Sequence, residues 1–332
     1  MAIFLGVDVG SSKTHALLVD ETGRALGFGA GPAGNHQDVG YPGLRLALET
    51  AWQQAAGVAG VQAGQLSGAG FGISGYDWPS ELPAHLQAVR AAIPLDCPLE
   101  LANDALLGLL AGSRAGWGIN LTAGSSANAI GRGPDGQAAR VVGNGWDFGE
   151  YAGGCEIARR ALQMVSYAWT RRIPPTLLTG ALLEAGGASG PAELLEAASD
   201  GRFVVGPELA RRVFECAAAG DAAALEVLQW AGEELGWLAL CIARQLQVEQ
   251  QAVEVVLSGS IFDGGPLITA PLQRFLAERL PRAELVRLDA PPVAGAALLG
   301  LQAAGLDPGP LRLEVNAGAR RSAGHFGYCA AP

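Results

Sequence analysis

The sequence predicts an α/β protein of two similar domains, each with the element order βββαβαβα and with a cleft between them. Three observations support this class. The chain has 332 residues, which suits two domains better than one core. Short apolar runs of strand length alternate with segments of helical periodicity. The same order of elements occurs twice, and each copy opens on a hairpin with a turn of Gly and Ser.

The first copy begins with two apolar runs within residues 3–20, on either side of a polar, glycine-containing turn. A third strand is predicted over 25–31, and a helix over 43–59 places Leu, Ala and Trp at helical spacing. A strand, a helix, a strand and a helix complete the copy, at 69–73, 79–93, 99–102 and 105–110.

The second copy repeats this order around a helical insert, predicted over about 150–247. Its elements are three strands at 118–122, 127–131 and 139–142, a last insert helix at 221–247, then a strand at 253–257, a helix at 266–280, a strand at 284–288 and a helix at 293–304. We therefore expect domains over residues 1–115 and 116–304. The aperiodic segment 305–332 is a candidate addition to the first domain.

Composition limits the partners and the compartment. The net charge is −10 and there is no basic run, which argues against nucleic acid as the main partner. The five cysteines are scattered without a C-x-x-C pair, which indicates free thiols in a reducing compartment. No signal peptide and no apolar stretch of membrane-spanning length is visible. We expect a cytoplasmic protein without a membrane partner.

The first hairpin turn carries polar residues that could bind an anion and a cation. Asp8 precedes Gly10, and the turn continues with small hydroxyl residues and Lys13, the only lysine of the chain. Successive N–H groups among small residues can bind an anion, and a neighbouring carboxylate can hold a divalent cation directly or through water. An ordinary polar turn, with Lys13 as a surface residue, is the alternative interpretation.

Other polar residues follow predicted strands, at Ser74, at Asn103–Asp104, at 124–128 and at 258–260. Ligands of partly parallel sheets lie at the carboxyl ends of the strands. We therefore expect these residues to converge on one cleft.

These turns, in a duplicated frame, resemble the actin-like ATPase superfamily of sugar kinases, heat-shock ATPases and actin. Within it the chain is similar to the BadF/BadG/BcrA/BcrD ATPase family, and most similar to its N-acetylglucosamine kinase branch. The resemblance covers about residues 3–305. The matching segments are 6–14 and 123–128 (the two phosphate motifs), 256–260 (the adenosine motif), 291–298 (the connecting helix), 103–105 (the catalytic segment), and 35–36, 74–75 and 145–146 (the amino-sugar pocket).

The resemblance implies an ATP-dependent kinase that uses Mg²⁺ and phosphorylates a small-molecule amino sugar, N-acetylglucosamine or glucosamine, at its 6-hydroxyl. It implies Asp104 as the catalytic base, with a helix N-cap as the alternative role, and Asp8 as the residue that orients Mg²⁺ through water. A homodimer is plausible for the family, although the sequence shows no interface.

The resemblance also implies two sets of binding residues. Those for the ATP phosphates and adenosine are Gly10, Ser11, Ser12, Lys13, Thr14, Gly124, Ser125, Ser126, Ser258, Gly259 and Ser260. Those for the sugar are Asn35, His36, Ser74, Gly75, Asp104, Asn128, Trp146 and Glu150. A core position for Trp146 and an ordinary loop position for His36 are the alternatives.

Several residues depart from the family pattern. Both phosphate turns have fewer glycines, because Val9, Ser11 and Ser126 replace Gly, while Ser12 replaces Thr. Glu150 stands where the family has Asp, and the residue after it is Tyr instead of Glu.

Two further functions therefore stay open. One is an activator ATPase that holds an iron–sulfur cluster between subunits, for which Cys155 would be a candidate ligand. The other is a non-catalytic sugar or nucleotide sensor, which the Gly-poor turns favour.

Overall fold

The computed structural model describes residues 1–325, which form two compact units. Of the described residues, the first unit comprises 1–120 and 286–325, and the second comprises Leu121–Leu285. Element order is βββαβαβα in each copy once the additional helices of the insert are set aside. The predicted α/β class with a duplicated order of elements is confirmed.

Ten strands and eleven α-helices are found within residues 1–325. The strands are β1 (Ile3–Val9), β2 (Thr14–Asp20), β3 (Ala25–Gly31), β4 (Leu66–Ile73), β5 (Leu99–Asn103), β6 (Gly118–Ala123), β7 (Ala127–Arg132), β8 (Ala138–Arg140), β9 (Val253–Ser258) and β10 (Ala283–Arg287). The helices are α1 (His36–Ala59), α2 (Leu82–Ala92), α3 (Ala105–Gly112), α4 (Gly154–Trp169), α5 (Leu177–Gly186), α6 (Pro191–Ser199), α7 (Ala210–Ala218), α8 (Ala222–Gln245), α9 (Pro266–Arg279), α10 (Val293–Ala303) and α11 (Arg312–His325).

The two five-stranded sheets have the same topology. The first has the order β3-β2-β1-β4-β5, and the second, read from its other edge, has the corresponding order β8-β7-β6-β9-β10. In the first sheet β1 is antiparallel to β2 but parallel to β4, which is parallel to β5. The carboxyl ends of β1, β4 and β5 therefore meet at one edge, and the turn to β2 begins at the same edge.

Successive side chains of β1 point to opposite faces of the sheet, so the first unit has a hydrophobic cluster on each face. Leu5 and Val7 pack in one cluster with Leu48 of α1 and Val89 of α2. Phe4 packs in another cluster, whose members include residues of α10 and α11. A Cβ atom at Gly6 would lie 2.1 Å from the backbone nitrogen of Ala297, so glycine permits α10 to approach the sheet closely.

Two regions differ from the predicted organisation. Helix α10 was expected in the second domain, but its residues Val293 and Ala297 pack in the same cluster as Phe4. The tail had shown no periodicity, yet it contains α11, whose Ala319 is fully buried in that cluster. Alanines give a weak periodic signal, and the packing of the tail depends on residues distant in sequence. Cys329 and the rest of the tail after residue 325 lie outside the described residues.

Helix α1 begins earlier than predicted, at His36. Asn35 caps its first turn by accepting the backbone N–H of Gln37, and Gly40 interrupts the helix with a φ of 67°. Gly40 therefore separates the first turn of α1 from the rest of the helix.

Within residues 1–325, none of the helices has both the length and the apolar character required to cross a bilayer.

Candidate active site

The turn between β1 and β2 spans residues 10–13 at the edge where the parallel strands end. The Gly10 N–H donates to the Lys13 carbonyl over 2.9 Å and closes the turn. Ser11, Ser12 and Lys13 are exposed at its tip. Thr14 is buried, and its hydroxyl donates to the Pro32 carbonyl over 2.9 Å. Thr14 therefore anchors the turn, while residues 11–13 form its tip.

Asp8 on β1 and Asp104 directly after β5 both have raised pKa values. Burial raises the pKa of Asp8 to about 7; the charge of Asp104 adds to this shift and that of Lys13 opposes it. Burial likewise raises the pKa of Asp104 to about 6; the charge of Asp77 adds to this shift, and a hydrogen bond from Ser74 opposes it. A nearby cation would stabilise both carboxylates in their ionised forms.

These carboxylates suit a cation that takes most of its ligands from water and substrate. Among residues 1–325, no group of three or more His, Cys, Asp and Glu side chains is arranged to hold a metal ion. Mg²⁺ usually keeps several waters and binds one or two carboxylates together with substrate phosphates. Asp8, beside a turn that could bind phosphate, fits that type of site.

Hydrogen bonds connect the first turn to Asn35 and Ser74. Asn35 donates from Nδ2 to the Ser11 hydroxyl over 3.2 Å. The Ser11 and Ser74 hydroxyls lie 3.2 Å apart, and the Ser74 side chain is close enough to Asp104 to lower its pKa. Four residues predicted for the site, from the ends of four strands, are thus brought together within the first unit.

Asp77, which was not predicted from the sequence, belongs to a second network of hydrogen bonds close to Asp104. The Asp77 carboxylate accepts from Asn103 Nδ2 over 3.1 Å and from Gln37 Nε2 over 3.2 Å. Asn103 also accepts the Ala105 N–H over 3.0 Å. The sequence signal that could have identified Asp77 is a carboxylate four residues after a predicted strand.

His36 belongs to a cluster of rings beside this network. Its ring stacks on Tyr41 with centroids 5.0 Å apart and meets His85 edge-on at 4.6 Å. Its Nε2 lies 3.9 Å from the Glu81 carboxylate. Gly75 has a φ of 81°, and a Cβ there would lie 2.3 Å from Asn35 Oδ1. His36 and Gly75 thus shape the loop that positions Asn35.

The β6–β7 turn, residues 124–126, packs on the N-terminus of α4 in the second unit. The Gly154 N–H donates to the Gly124 carbonyl over 2.8 Å, and the Cys155 N–H donates to the Ser125 carbonyl over 2.9 Å. A Cβ at Gly153 would lie 2.3 Å from the Ser126 Cα, so glycine allows this approach. The first N–H groups of the helix therefore fix the position of the turn.

The segment after β9 forms one wall of a cavity. The Ser258 hydroxyl donates to the Leu121 carbonyl over 3.2 Å and ties β9 to β6. Gly259 has a φ of 99°, and a Cβ there would lie 2.2 Å from the Ala123 carbonyl oxygen. Ser260 lines a cavity of about 670 Å³ together with residues of α7, Phe214 among them. This volume is within the range of ligand pockets.

Glu150 organises the loop that carries Trp146. The carboxylate is buried and accepts the Gly143 N–H on both oxygens at 2.9 Å and the Gly145 N–H on Oε2 at 3.0 Å. Gly143 and Gly145 have φ values of 87° and 69°, which favour glycine. Glu150 therefore supports the loop itself, and its predicted contact with the sugar stays a prediction.

Trp146 is partly exposed at the end of this loop. Its ring meets Tyr151 edge-on with centroids 4.9 Å apart, and the Arg159 guanidinium lies 5.6 Å from its centre. Asn128 on β7 is near the same loop, since a Cβ at Gly143 would lie 3.3 Å from its Nδ2. The loop thus brings the predicted residues Asn128, Trp146 and Glu150 into one region of the second unit.

Replacement of Glu150 by glutamine is expected to destabilise the protein by about 1–3 kcal/mol, because the amide nitrogen cannot accept the loop N–H groups. Urea unfolding of the two proteins measures the difference. Asp147→Asn, an exposed position on the same loop, is the control and should change the unfolding free energy by less than about 0.5 kcal/mol. Equal effects of the two substitutions would contradict the role given to Glu150.

Comparisons with known proteins identify the family and several similar proteins. The model of the BadF/BadG/BcrA/BcrD ATPase family matches residues 5–300. An N-acetyl-D-glucosamine kinase of Dictyostelium discoideum is 24% identical over 314 residues, which cover 90% of this chain and 98% of that protein. A solved candidate N-acetylglucosamine kinase of Chromobacterium violaceum has a TM-score of 0.69 and 27% identity, over 90% of this chain and 99% of that chain. A ROK family glucokinase of Streptomyces griseus, with a TM-score of 0.57 and 19% identity over 91% of this chain and 100% of that chain, shares the fold.

Proposed function

Because the chain belongs to the BadF/BadG/BcrA/BcrD ATPase family, we propose that it is an ATP-dependent sugar kinase that phosphorylates an amino sugar, N-acetylglucosamine or glucosamine. The observation that carries the proposal is the setting of Asp104. It lies directly after β5 and beside Ser74, whose hydroxyl is 3.2 Å from that of Ser11 in the first turn. A base beside a turn that can bind phosphate is the arrangement that phosphoryl transfer requires.

In this reaction a sugar hydroxyl oxygen attacks the γ-phosphorus of ATP. Asp104 accepts the hydroxyl proton, the bond between the γ-phosphorus and the oxygen bridging it to the β-phosphate breaks, and ADP leaves. With a pKa of about 6, Asp104 is largely ionised at neutral pH and still more basic than an ordinary aspartate. General-base assistance of this kind typically contributes about 10²–10⁴-fold to the rate.

The remaining groups would bind ATP. In the first unit, the N–H groups of residues 10–13 would bind phosphate oxygens, and Asp8 would orient Mg²⁺. When bound, Mg²⁺ would neutralise part of the negative charge of the ATP phosphates. In the second unit, residues 124–126 form the proposed phosphate-binding turn. The cavity beside Ser260 is the proposed adenosine pocket.

The choice of an amino sugar is supported by the relatives from Dictyostelium discoideum and Chromobacterium violaceum, each of which spans nearly its whole length in the comparison. It is also supported by Trp146, whose partly exposed ring could cover the apolar face of a pyranose, and by the amide of Asn128 near the same loop.

A kinase assay over a panel of sugars tests the proposal. The protein is incubated with Mg²⁺, ATP and N-acetylglucosamine, glucosamine, glucose or N-acetylmannosamine, and ADP release is compared with a reaction without sugar. We expect the highest kcat/KM for one of the first two, and NMR of the product should show a phosphate on the 6-oxygen. No sugar-dependent turnover, with ATP still bound, would refute the kinase. Higher kcat/KM for glucose would refute the choice of an amino sugar.

The two alternative functions give different results on the same preparation. An activator ATPase would contain iron and hydrolyse ATP without sugar. A sensor would bind sugar in calorimetry without producing ADP.

A further inference from the structure

We propose that Asp77 is a positioning residue for the catalytic base, because its carboxylate joins the end of β5, which carries Asp104, to the first turn of α1. Asp77 acts on the base through its hydrogen bond with Asn103. This inference rests on the proposed function, since it assigns to Asp104 the acceptance of the sugar hydroxyl proton.

Asp77 lies on a loop whose backbone is held by Glu81. The Glu81 carboxylate accepts the backbone N–H groups of Asp77 and Trp78, each over 2.9 Å. The Asp77 residue is only 9% exposed, so little water competes for its carboxylate. The loop therefore presents this carboxylate to its partners in a fixed position.

One oxygen of Asp77 holds the amide that fixes both neighbours of the base. Asn103 Oδ1 accepts the backbone N–H of Ala105 over 3.0 Å, which identifies the other end of the amide as Nδ2. This Nδ2 donates to Asp77 Oδ1 over 3.1 Å and to the Tyr76 carbonyl over 3.2 Å. Because Asp104 lies between Asn103 and Ala105 in the chain, the amide restrains the backbone from which the base extends.

The other oxygen of Asp77 binds the first turn of α1. Gln37 Nε2 donates to Asp77 Oδ2 over 3.2 Å and to the Gly75 carbonyl over 3.4 Å. Asn35 caps this turn, and Asn35 and His36 are the residues predicted there to bind the sugar. The carboxylate thus connects the base to the predicted sugar-binding turn.

Both partners of Asp77 are N–H donors, which explains why a carboxylate suits this position. An ionised aspartate accepts on both oxygens, whereas an asparagine accepts on one and donates from its nitrogen. A base must hold its geometry precisely to accept a proton efficiently, and a restrained backbone limits its movement. The two oxygens therefore predict separate effects, one on the base and one on the sugar-binding turn.

The test of the first effect compares Asp77→Ala, Asn103→Ala and the double variant Asp77→Ala/Asn103→Ala, with sugar and MgATP varied separately. We expect each single substitution to lower kcat about 3–10-fold with little change in the KM for ATP, because the base loses its restraint and the turn at residues 10–13 is unchanged. The double variant should have the kcat of the more affected single variant, since Asp77 acts through Asn103.

Two more substitutions separate the oxygens. Asp77→Asn keeps an acceptor for Asn103, whose amide is fixed by Ala105, and should retain kcat to within about twofold. Gln37→Ala removes the bond to α1 alone, so it should raise the KM for the sugar more than it lowers kcat. Asp38→Asn, at an exposed carboxylate on the same turn of α1, is the matched control and should change neither parameter.

Thermal unfolding shows which variants are folded, and a purely structural tie would lower the melting temperature without changing kcat. An unchanged kcat in folded Asp77→Ala or Asn103→Ala would overturn the inference, as would single effects that multiply in the double variant. If Asp77→Ala does not fold, kcat of Asn103→Ala and of Asp77→Asn decides. Failure of the underlying function has a different signature, because the unmodified protein then shows no sugar-dependent ADP release and both proposals fall together.

Discussion

Substitution of Asp104 by asparagine is expected to lower kcat for the sugar by about 10²–10⁴-fold. The amide has the shape of the carboxylic acid but cannot accept the proton of the attacking hydroxyl. ATP binding should persist, because Asp104 is assigned to the proton transfer and the turn at residues 10–13 is unchanged. Coupled assays give kcat, and calorimetry with ATP gives the dissociation constant.

Asp96→Asn is the matched control, because Asp96 is an exposed carboxylate in the same unit. It should leave kcat unchanged. The pH profile offers a further check: the pKa of Asp104 is about 6, so kcat/KM of the unmodified enzyme should fall as the pH is lowered through that value. The pKa of Asp8 is about 7, and the charge of Asp104 contributes to it. The fall of kcat/KM at low pH therefore reports the titration of the two carboxylates together. Retained turnover in Asp104→Asn would remove Asp104 from the catalytic role.

Substitution of Asp8 by asparagine should have opposite effects on stability and activity. Burial raises the pKa of Asp8 from its ordinary value of 3.8 to about 7. Between these values the unfolded chain releases a proton that the folded protein retains, so the free energy of unfolding decreases as the pH rises through this window. Without ligand, Asp8→Asn has no carboxyl group at this position, so its free energy of unfolding does not decrease in this way. At pH 8 it should be more stable than the unmodified protein by about 2–4 kcal/mol, since one pKa unit corresponds to about 1.4 kcal/mol.

The activity of Asp8→Asn should fall by about 10²-fold or more, because Mg²⁺ would lose its protein carboxylate. Unfolding of both proteins is followed at pH 5 and pH 8, with and without MgATP. The stability advantage of the variant should shrink at pH 5, and its stabilisation by MgATP should be smaller. Asp96→Asn again serves as control and should show neither effect. A variant that is less stable at pH 8 would contradict the account of Asp8.

The sequence was sufficient for the order of elements and for the edge of the sheet at which the site residues of the first unit lie. Alternating apolar runs define β1 and β2, and the polar residues after β1, β4 and β5 follow strands that run parallel. These signals are local, because each depends on residues within a single strand and its turn. The hairpin of residues 3–20 and the position of Asp104 could therefore be predicted without coordinates.

The roles of individual polar groups depended on contacts between residues that are distant in sequence. The sequence did not show that the Glu150 carboxylate accepts the N–H groups of Gly143 and Gly145. It also did not show that the Thr14 hydroxyl donates to the Pro32 carbonyl. A hydrogen bond depends on ångström distances and on angle, and no periodicity in the chain encodes these.

The chain alone thus specified an α/β frame, its duplication and the strand ends where the chemistry is expected, because hydrophobic periodicity and turn residues are local properties. In the folded protein α10 and α11 pack in the first unit, Asp77 accepts a hydrogen bond from Asn103, and Ser11 lies beside Ser74. Ser11 and Ser74 are 63 residues apart in sequence, and only the parallel pairing of β1 with β4 places their hydroxyls within hydrogen-bonding distance.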